Sequence, residues 1–216
     1  LIMFYETETN KHGLPRDPFK ALIAPRPIGW ISSLSKDGVV NLAPYSFFNA
    51  ISEKPHYVIF GSGGIKDSVR NIEETGEFVC SLATYDLRNE MNVSSAAVPP
   101  DVDEFPISGL TAVKSNIVRP PRVKESPAAF ECRHWKTIQL PSAVPGGPRG
   151  YYAVIGLVVG IYIDDAALKE GFFDSGSVKP LARLGYMDYA FVNDDVTLTI
   201  TRPELRADGT VEVPES

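Results

Sequence analysis

Residues 61–78, GSGGIKDSVRNIEETGEF, gather the residue types that hold an anion. Gly63 and Gly64 let backbone approach a ligand closely, and Lys66 adds a full positive charge. Asp67 or Ser68 is placed to cap a helix whose apolar stripe is Val69 and Ile72, and Gly76 stands where a left-handed residue ends it. The first turn of a helix has unpaired N–H groups and partial positive charge, so the segment suits a phosphate. An ordinary glycine turn ahead of a helix is the better reading of the stretch taken alone, because such turns are common and the spacing matches neither a P-loop nor G-x-G-x-x-G. Local chemistry leaves both readings open.

Other chemistries find less support. His12, His56 and His134 form no H-x-H or H-E-x-x-H spacing, and there is no C-x-x-C, so a dedicated metal site is not expected. Cys132 and His134 share one face of an expected strand, which reads as two half-buried neighbours rather than a ligand pair. No G-x-S-x-G elbow occurs. The pairs Asp164–Asp165 and Asp194–Asp195 sit in polar turns and read as solvated charge. Tyr45, Phe47, Phe48, Tyr151 and Tyr152 supply aromatic surface that usually packs a core.

The elements that must position these residues are mostly strands. At 216 residues, 44% hydrophobic and 22% charged, the chain has globular composition and enough length for one sizeable core, with no linker long enough to divide it. A formal charge of −6 argues against nucleic acid as the main partner. Two cysteines suggest reduced, cytoplasmic thiols rather than a disulfide framework. Met3 reads as the natural start, ahead of a segment that turns polar too soon for a signal peptide. The longest apolar run, 151–163, is too short and too β-branched to span a bilayer, so no membrane partner is expected.

Strands are expected at 28–34, 57–61, 77–83, 130–138, 151–163 and 196–200, with a hairpin turn at 35–40 in which Asp37 and Gly38 supply positive φ. Helices are expected at 67–75 and 85–97, with a short one near 166–170. Strands and helices do not alternate regularly, which favours an antiparallel barrel with a few peripheral helices over a doubly wound sheet.

Two long stretches, ALIAPRPIGWISSLSKDGVVNLAPYSFFNAISEKPHYVIFG (21–61) and IKDSVRNIEETGEFVCSL (65–82), bring a family into view. With EF at 104–105, ESPAAFEC at 125–132, IGLVVG at 155–160 and RLGYMDYA at 183–190, the chain resembles the flavin reductase-like family with the FMN-binding split-barrel fold. The resemblance runs from about residue 3 to 202, in one domain whose core is about 17–202. It implies a mainly β fold, a six-stranded antiparallel split barrel of Greek-key type, that forms a homodimer with flavin near the subunit interface.

It also implies flavin-binding segments. PRPIGW supplies Arg26, Pro27, Ile28 and Trp30, although Trp30 lies in an apolar strand and also reads as core. NLAPYSFF supplies Pro44 and Tyr45 as flat surface, Asn41 and Ser46 as donors, and the backbone around Ala43. Ser32 and Ser33 offer hydroxyls to ribityl or phosphate oxygens. Arg26 and Lys66 would neutralise the phosphate, and Asp67–Ser68 begin the helix that receives it. With this context the phosphate reading of the opening stretch is preferred. Arg183 reads either as structural or as reaching the flavin or the neighbouring subunit.

The implied activity passes reducing equivalents from NAD(P)H through FMN, rather than FAD, to free flavin, an iron complex or another acceptor, with no side chain acting as acid or base. The alternative is an electron carrier or flavin-storage protein without nicotinamide turnover. One departure bears on the choice: Tyr152 stands where short NADH-using members carry the histidine of a G-D-H stretch.

Overall fold

The computed structural model describes residues 3–141 and 150–212. After helix α1 (Phe19–Leu22) come strands β1 (Arg26–Pro27), β2 (Gly29–Leu34), β3 (Val40–Tyr45), β4 (Phe48–Glu53) and β5 (His56–Gly63). Helix α2 (Asp67–Thr75), β6 (Glu77–Leu82), α3 (Arg88–Val93) and α4 (Glu104–Ile107) follow. The short pair β7 (Ala112–Val113) and β8 (Arg122–Val123) leads into the two long strands β9 (Ala128–Gln139) and β10 (Tyr151–Ile163). Beyond them lie the hairpin β11 (Leu168–Lys169) and β12 (Phe172–Phe173), helix α5 (Ser175–Val178), β13 (Leu181–Arg183) and β14 (Tyr189–Phe191).

The main sheet is antiparallel, in the order β3-β2-β6-β9-β10-β5-β4, and β1 pairs instead with β13. Its seven strands exceed the six of the implied barrel by the edge strand β4, whose side chains are mostly exposed. The sheet curls until its ends meet. The Tyr45 ring from one edge packs on Phe60 near the other, with centroids 4.7 Å apart, and the Gly61 N–H donates to the Phe47 carbonyl at 2.7 Å. Ile31, Phe60, Val69, Ile72, Phe78, Cys132 and Val154 fill the interior. A filled interior leaves no room for a large planar ligand, which must bind outside the barrel.

Strand β2 is buried on both faces because Ile31 faces this interior while Trp30 packs in a second cluster with Leu42, Met91 and Phe105, under α3 and α4. Pro44 is tolerated within β3 because β3 is an edge strand, so its missing N–H costs no ladder bond. Helix α2 ends as its sequence requires: Gly76 has φ +76° and donates its N–H to the Ile72 carbonyl.

Four expectations are corrected. The segment 196–200 is no strand: apart from the short 3-10 turn that Val196 closes it is irregular and exposed, with no neighbouring strand among the described residues to complete its hydrogen bonds. The helix expected at 85–97 is reduced to Arg88–Val93. The signal near 166–170 becomes a 3-10 turn, Asp165–Ala167. In the hairpin turn only Gly38 has positive φ, at +86°, while the Ser35 hydroxyl accepts from the N–H groups of Asp37 and Val39. Among the described residues no helix is long and apolar enough to cross a membrane.

Candidate functional site

Two adjoining clefts open on the outside of the barrel where β3 turns into β4. The smaller, about 610 Å³, is lined by Asn41–Phe47 of the β3 end (Leu42 excepted), Ile65–Ser68 at the head of α2, residues 94–98 and Glu104. The larger, about 820 Å³, is lined by Arg26, Pro27, Phe47, Phe48, Ile59, Tyr151 and Tyr152 among others. Lys20, Ser46, Phe47, Gly61 and Tyr151 belong to both, so one end of the combined cleft is polar and the other aromatic.

The polar end is built around the first turn of α2. Lys66 is the N-cap residue in extended conformation, and no side chain accepts a hydrogen bond from that turn. The expectation that Asp67 or Ser68 caps the helix is therefore corrected. Asp67 pairs with Arg70, and the Ser68 hydroxyl donates to Asn41 Oδ1 at 2.8 Å. The helix mouth thus keeps its N–H groups and partial positive charge for another acceptor. Lys66 is exposed and makes no salt bridge among the described residues. The Tyr45 hydroxyl is buried beside Ser62 and Ser68 with no well-formed hydrogen bond among the described residues; burial pushes its pKa up, and the two neighbouring serine hydroxyls oppose the rise. An unpartnered buried hydroxyl, a vacant helix cap and an uncompensated lysine in one cleft suit a phosphate.

Beneath this mouth lies a buried polar network. Glu104, 5% exposed, accepts from Asn41 Nδ2 at 3.0 Å and from the Leu42 N–H at 2.8 Å. Burial raises its carboxyl pKa, the nearby charge of Asp103 adds to the rise, and the donors from Leu42 and Asn41 oppose it. Asn41 Oδ1 also faces the Ser33 hydroxyl at 3.5 Å, and Ser33 in turn accepts from Asn71 Nδ2 at 3.2 Å.

The structure brings Asn41, Ala43, Pro44, Tyr45, Ser46, Lys66, Asp67 and Ser68 together on the smaller cleft, and Pro27 onto the larger one. The other expected site residues are placed differently. Arg26 reaches the larger cleft, but its guanidinium donates to the carbonyls of Lys20, Ile23 and Leu184, the last at 2.8 Å, so it ties α1 to the β13 end instead of facing a phosphate. Ile28 lines a separate apolar cavity with Phe48 and Phe130. Trp30 is fully buried, its indole N–H donating to Ser94 Oγ at 2.9 Å. Ser32 donates to the Pro121 carbonyl, and Ser33 serves the network under the cleft. Period-two alternation explains these placements: β2 lies between two cores, so no residue in its middle reaches solvent. Arg183 donates to the Tyr186 carbonyl and stacks on Tyr189 at 4.4 Å, in a different pocket.

The sequence alone gives no role to Glu104 or Lys20, and Tyr151 reads there only as core. For Glu104 a signal existed. An acidic residue beside a buried phenylalanine, after an Asp103 that caps the turn by accepting from the Phe105 N–H, must find donors inside.

The fold and cleft define an antiparallel split barrel with an uncapped helix mouth beside an aromatic wall. Comparison with known proteins agrees: the flavin reductase-like domain matches residues 22–191. The chain belongs to the flavin reductase-like family. A protein of Aquifex aeolicus is 33% identical over 170 residues, covering 76% of this chain and 83% of its own. Among solved structures, nitrilotriacetate monooxygenase component B from Bacillus cereus superposes with TM-score 0.80 at 28% identity, over 92% of this chain and all of that one. The 2-nitrobenzoate 2-nitroreductase of Pseudomonas fluorescens gives TM-score 0.75 at 27% identity, over 88% of this chain and 94% of that one.

Proposed function

We propose that the protein binds FMN in the combined cleft and acts as an oxidoreductase, passing reducing equivalents from NAD(P)H to free flavin, an iron complex or another acceptor. The observation that carries this reading is the vacant, Lys66-flanked mouth of α2 opening into the same cleft as the unpartnered Tyr45 hydroxyl. Lys66 and the first-turn N–H groups would hold the phosphate. Pro44 and Phe47 offer flat surface for the ring system, and Tyr151 borders both compartments. When bound, FMN supplies the hydride-accepting ring, so the side chains only bind, orient and exclude water. Similarity to a nitrilotriacetate monooxygenase component and a 2-nitrobenzoate 2-nitroreductase, both redox proteins, supports the class of reaction.

A flavin-carrying protein without nicotinamide turnover is the second reading, favoured by Tyr152 on the wall of the larger cleft where short relatives carry histidine. Anaerobic mixing of the FMN-loaded protein with NADH or NADPH separates the two. Rapid bleaching of flavin absorbance is the expected result, and an unchanged spectrum assigns the protein to electron carriage or storage.

The reading includes a homodimer. Cleft walls on one barrel cover one face of a flat ring, and a two-fold copy is suited to cover the other. Candidates for that contact are the aromatic run Tyr45, Phe47 and Phe48 and the RLGYMDY segment; Tyr45 packs in the barrel interior, whereas Tyr186 and Met187 are exposed. Light scattering should return twice the chain mass of 23.6 kDa, and diluting the dimer apart should release FMN. A monomer that retains flavin contradicts this part of the proposal.

A further inference from the structure

We infer that Glu104 is a positioning residue that, through the Asn41 amide, sets which way the Ser68 hydroxyl proton points and so how strongly the mouth of α2 holds a phosphate. The inference rests on the phosphate reading of that mouth. It begins from a constraint of hydrogen-bond chemistry: an ionised carboxylate only accepts, so Asn41 must turn its Nδ2 toward Glu104, as observed at 3.0 Å. Asn41 Oδ1 then faces Ser68 and accepts its hydroxyl proton at 2.8 Å. Ser68 is buried, on the cleft wall, with its one proton committed inward. It presents only lone pairs to a ligand, which repel a phosphate.

Protonation of Glu104 from solvent reverses this polarity and gives up only the long 3.5 Å contact from the Ser33 hydroxyl to Asn41 Oδ1. The neutral acid keeps one oxygen as acceptor for the Leu42 N–H and donates from the other to Asn41 Oδ1, once the amide has rotated by half a turn. Asn41 Nδ2 then donates to Ser68 and toward Ser33, and the Ser68 proton is released to a phosphate oxygen. Because both arrangements keep the bonds linking Glu104, Asn41 and Ser68 paired, and differ otherwise only in the long contact from the Ser33 hydroxyl, the choice between them rests on the ionisation of Glu104. Burial already favours the neutral acid, and the charge of Asp103 on the adjoining turn adds to it. The other ionisable groups around the site are Tyr45 on β3, Lys66 and Asp67 at the head of α2, and Lys20 across the cleft. A bound phosphate would push the Glu104 equilibrium further toward the acid, so phosphate binding and proton uptake reinforce one another.

The test is FMN and riboflavin titration of the flavin-free protein and three variants: Glu104→Gln, Ser68→Ala and the double substitution. Glutamine accepts from Leu42 and donates to Asn41, which locks the outward Ser68 arrangement. At about pH 8 the Glu104→Gln protein should bind FMN about tenfold more tightly than the parent, with riboflavin affinity unchanged. The advantage should shrink as pH falls and the parent takes up its proton. Phosphate ionisation affects both proteins alike and cancels in that ratio. Removing a negative charge would itself favour an anion, and the Ser68→Ala background isolates that contribution. In that background the gain from Glu104→Gln should drop to about twofold or less. An equal gain with and without Ser68, a ratio that does not vary with pH, or parallel changes for FMN and riboflavin would overturn the inference. Failure of the parent protein to bind FMN at any pH would overturn the phosphate reading and this inference together, which distinguishes the two failures.

Discussion

Replacing Lys66 by alanine should weaken FMN binding by about tenfold to about a hundredfold while leaving riboflavin binding nearly unchanged. The size follows from loss of one charge-assisted contact, about 1.5–3 kcal/mol. Selectivity follows from position. Lys66 sits at the helix mouth, at the polar end of the cleft, whereas Phe47 and the two tyrosines 151 and 152 wall the aromatic end. Asp67 does not take over the lysine charge because it is paired with Arg70. Calorimetric titration of the stripped variant with each flavin measures both affinities. Equal losses would show that Lys66 supports the cleft generally and that the phosphate lies elsewhere.

Truncating Phe78 to alanine should destabilise the protein by about 3–5 kcal/mol. Phe78 is fully buried in the barrel interior, edge-on to Phe60 with centroids 6.0 Å apart. Gly156 on β10 faces the same ring, and a Cβ at that position would collide with it. Gly156→Ala alone should therefore cost about 1–3 kcal/mol through overpacking. The two substitutions should be far from additive, since the added methyl group occupies space that the lost ring vacates. Urea unfolding of the parent, both single variants and the double variant gives the coupling energy. Simple addition of the two costs would mean that Gly156 is required for β-sheet conformation rather than for room beside Phe78.

Much of this architecture is legible in the sequence, but unevenly. The helix at 67–75 and its glycine stop are visible because capping and i, i+3 periodicity are local effects. The long strands Ala128–Gln139 and Tyr151–Ile163 are visible as β-branched and aromatic runs. The β-rich run at 196–200 predicts a strand in the same way and fails, because a strand also needs a neighbour, and no local pattern supplies one. The candidate site divides along the same line. Residues of NLAPYSFF and Lys66–Ser68 reach the cleft because both segments stand at element ends. Trp30 and Ser32 do not, because the second core that covers their face of β2 is assembled from α3, α4 and β13, distant in the chain, while Ser33 on the other face is held by Asn71 of α2. Arg26 looked like a phosphate ligand from its charge. Its carbonyl partners include one 158 residues away, which no spacing rule encodes. The bond from Asn41 to Glu104 spans 63 residues and was invisible for the same reason.

The claim that the cleft at the head of α2 is a flavin site is tested most directly by titrating FMN into the flavin-free protein. Binding should quench the flavin fluorescence to a saturating end point at micromolar protein, with inorganic phosphate competing weakly at the polar end. Fluorescence that stays at the free-FMN level throughout would contradict the account.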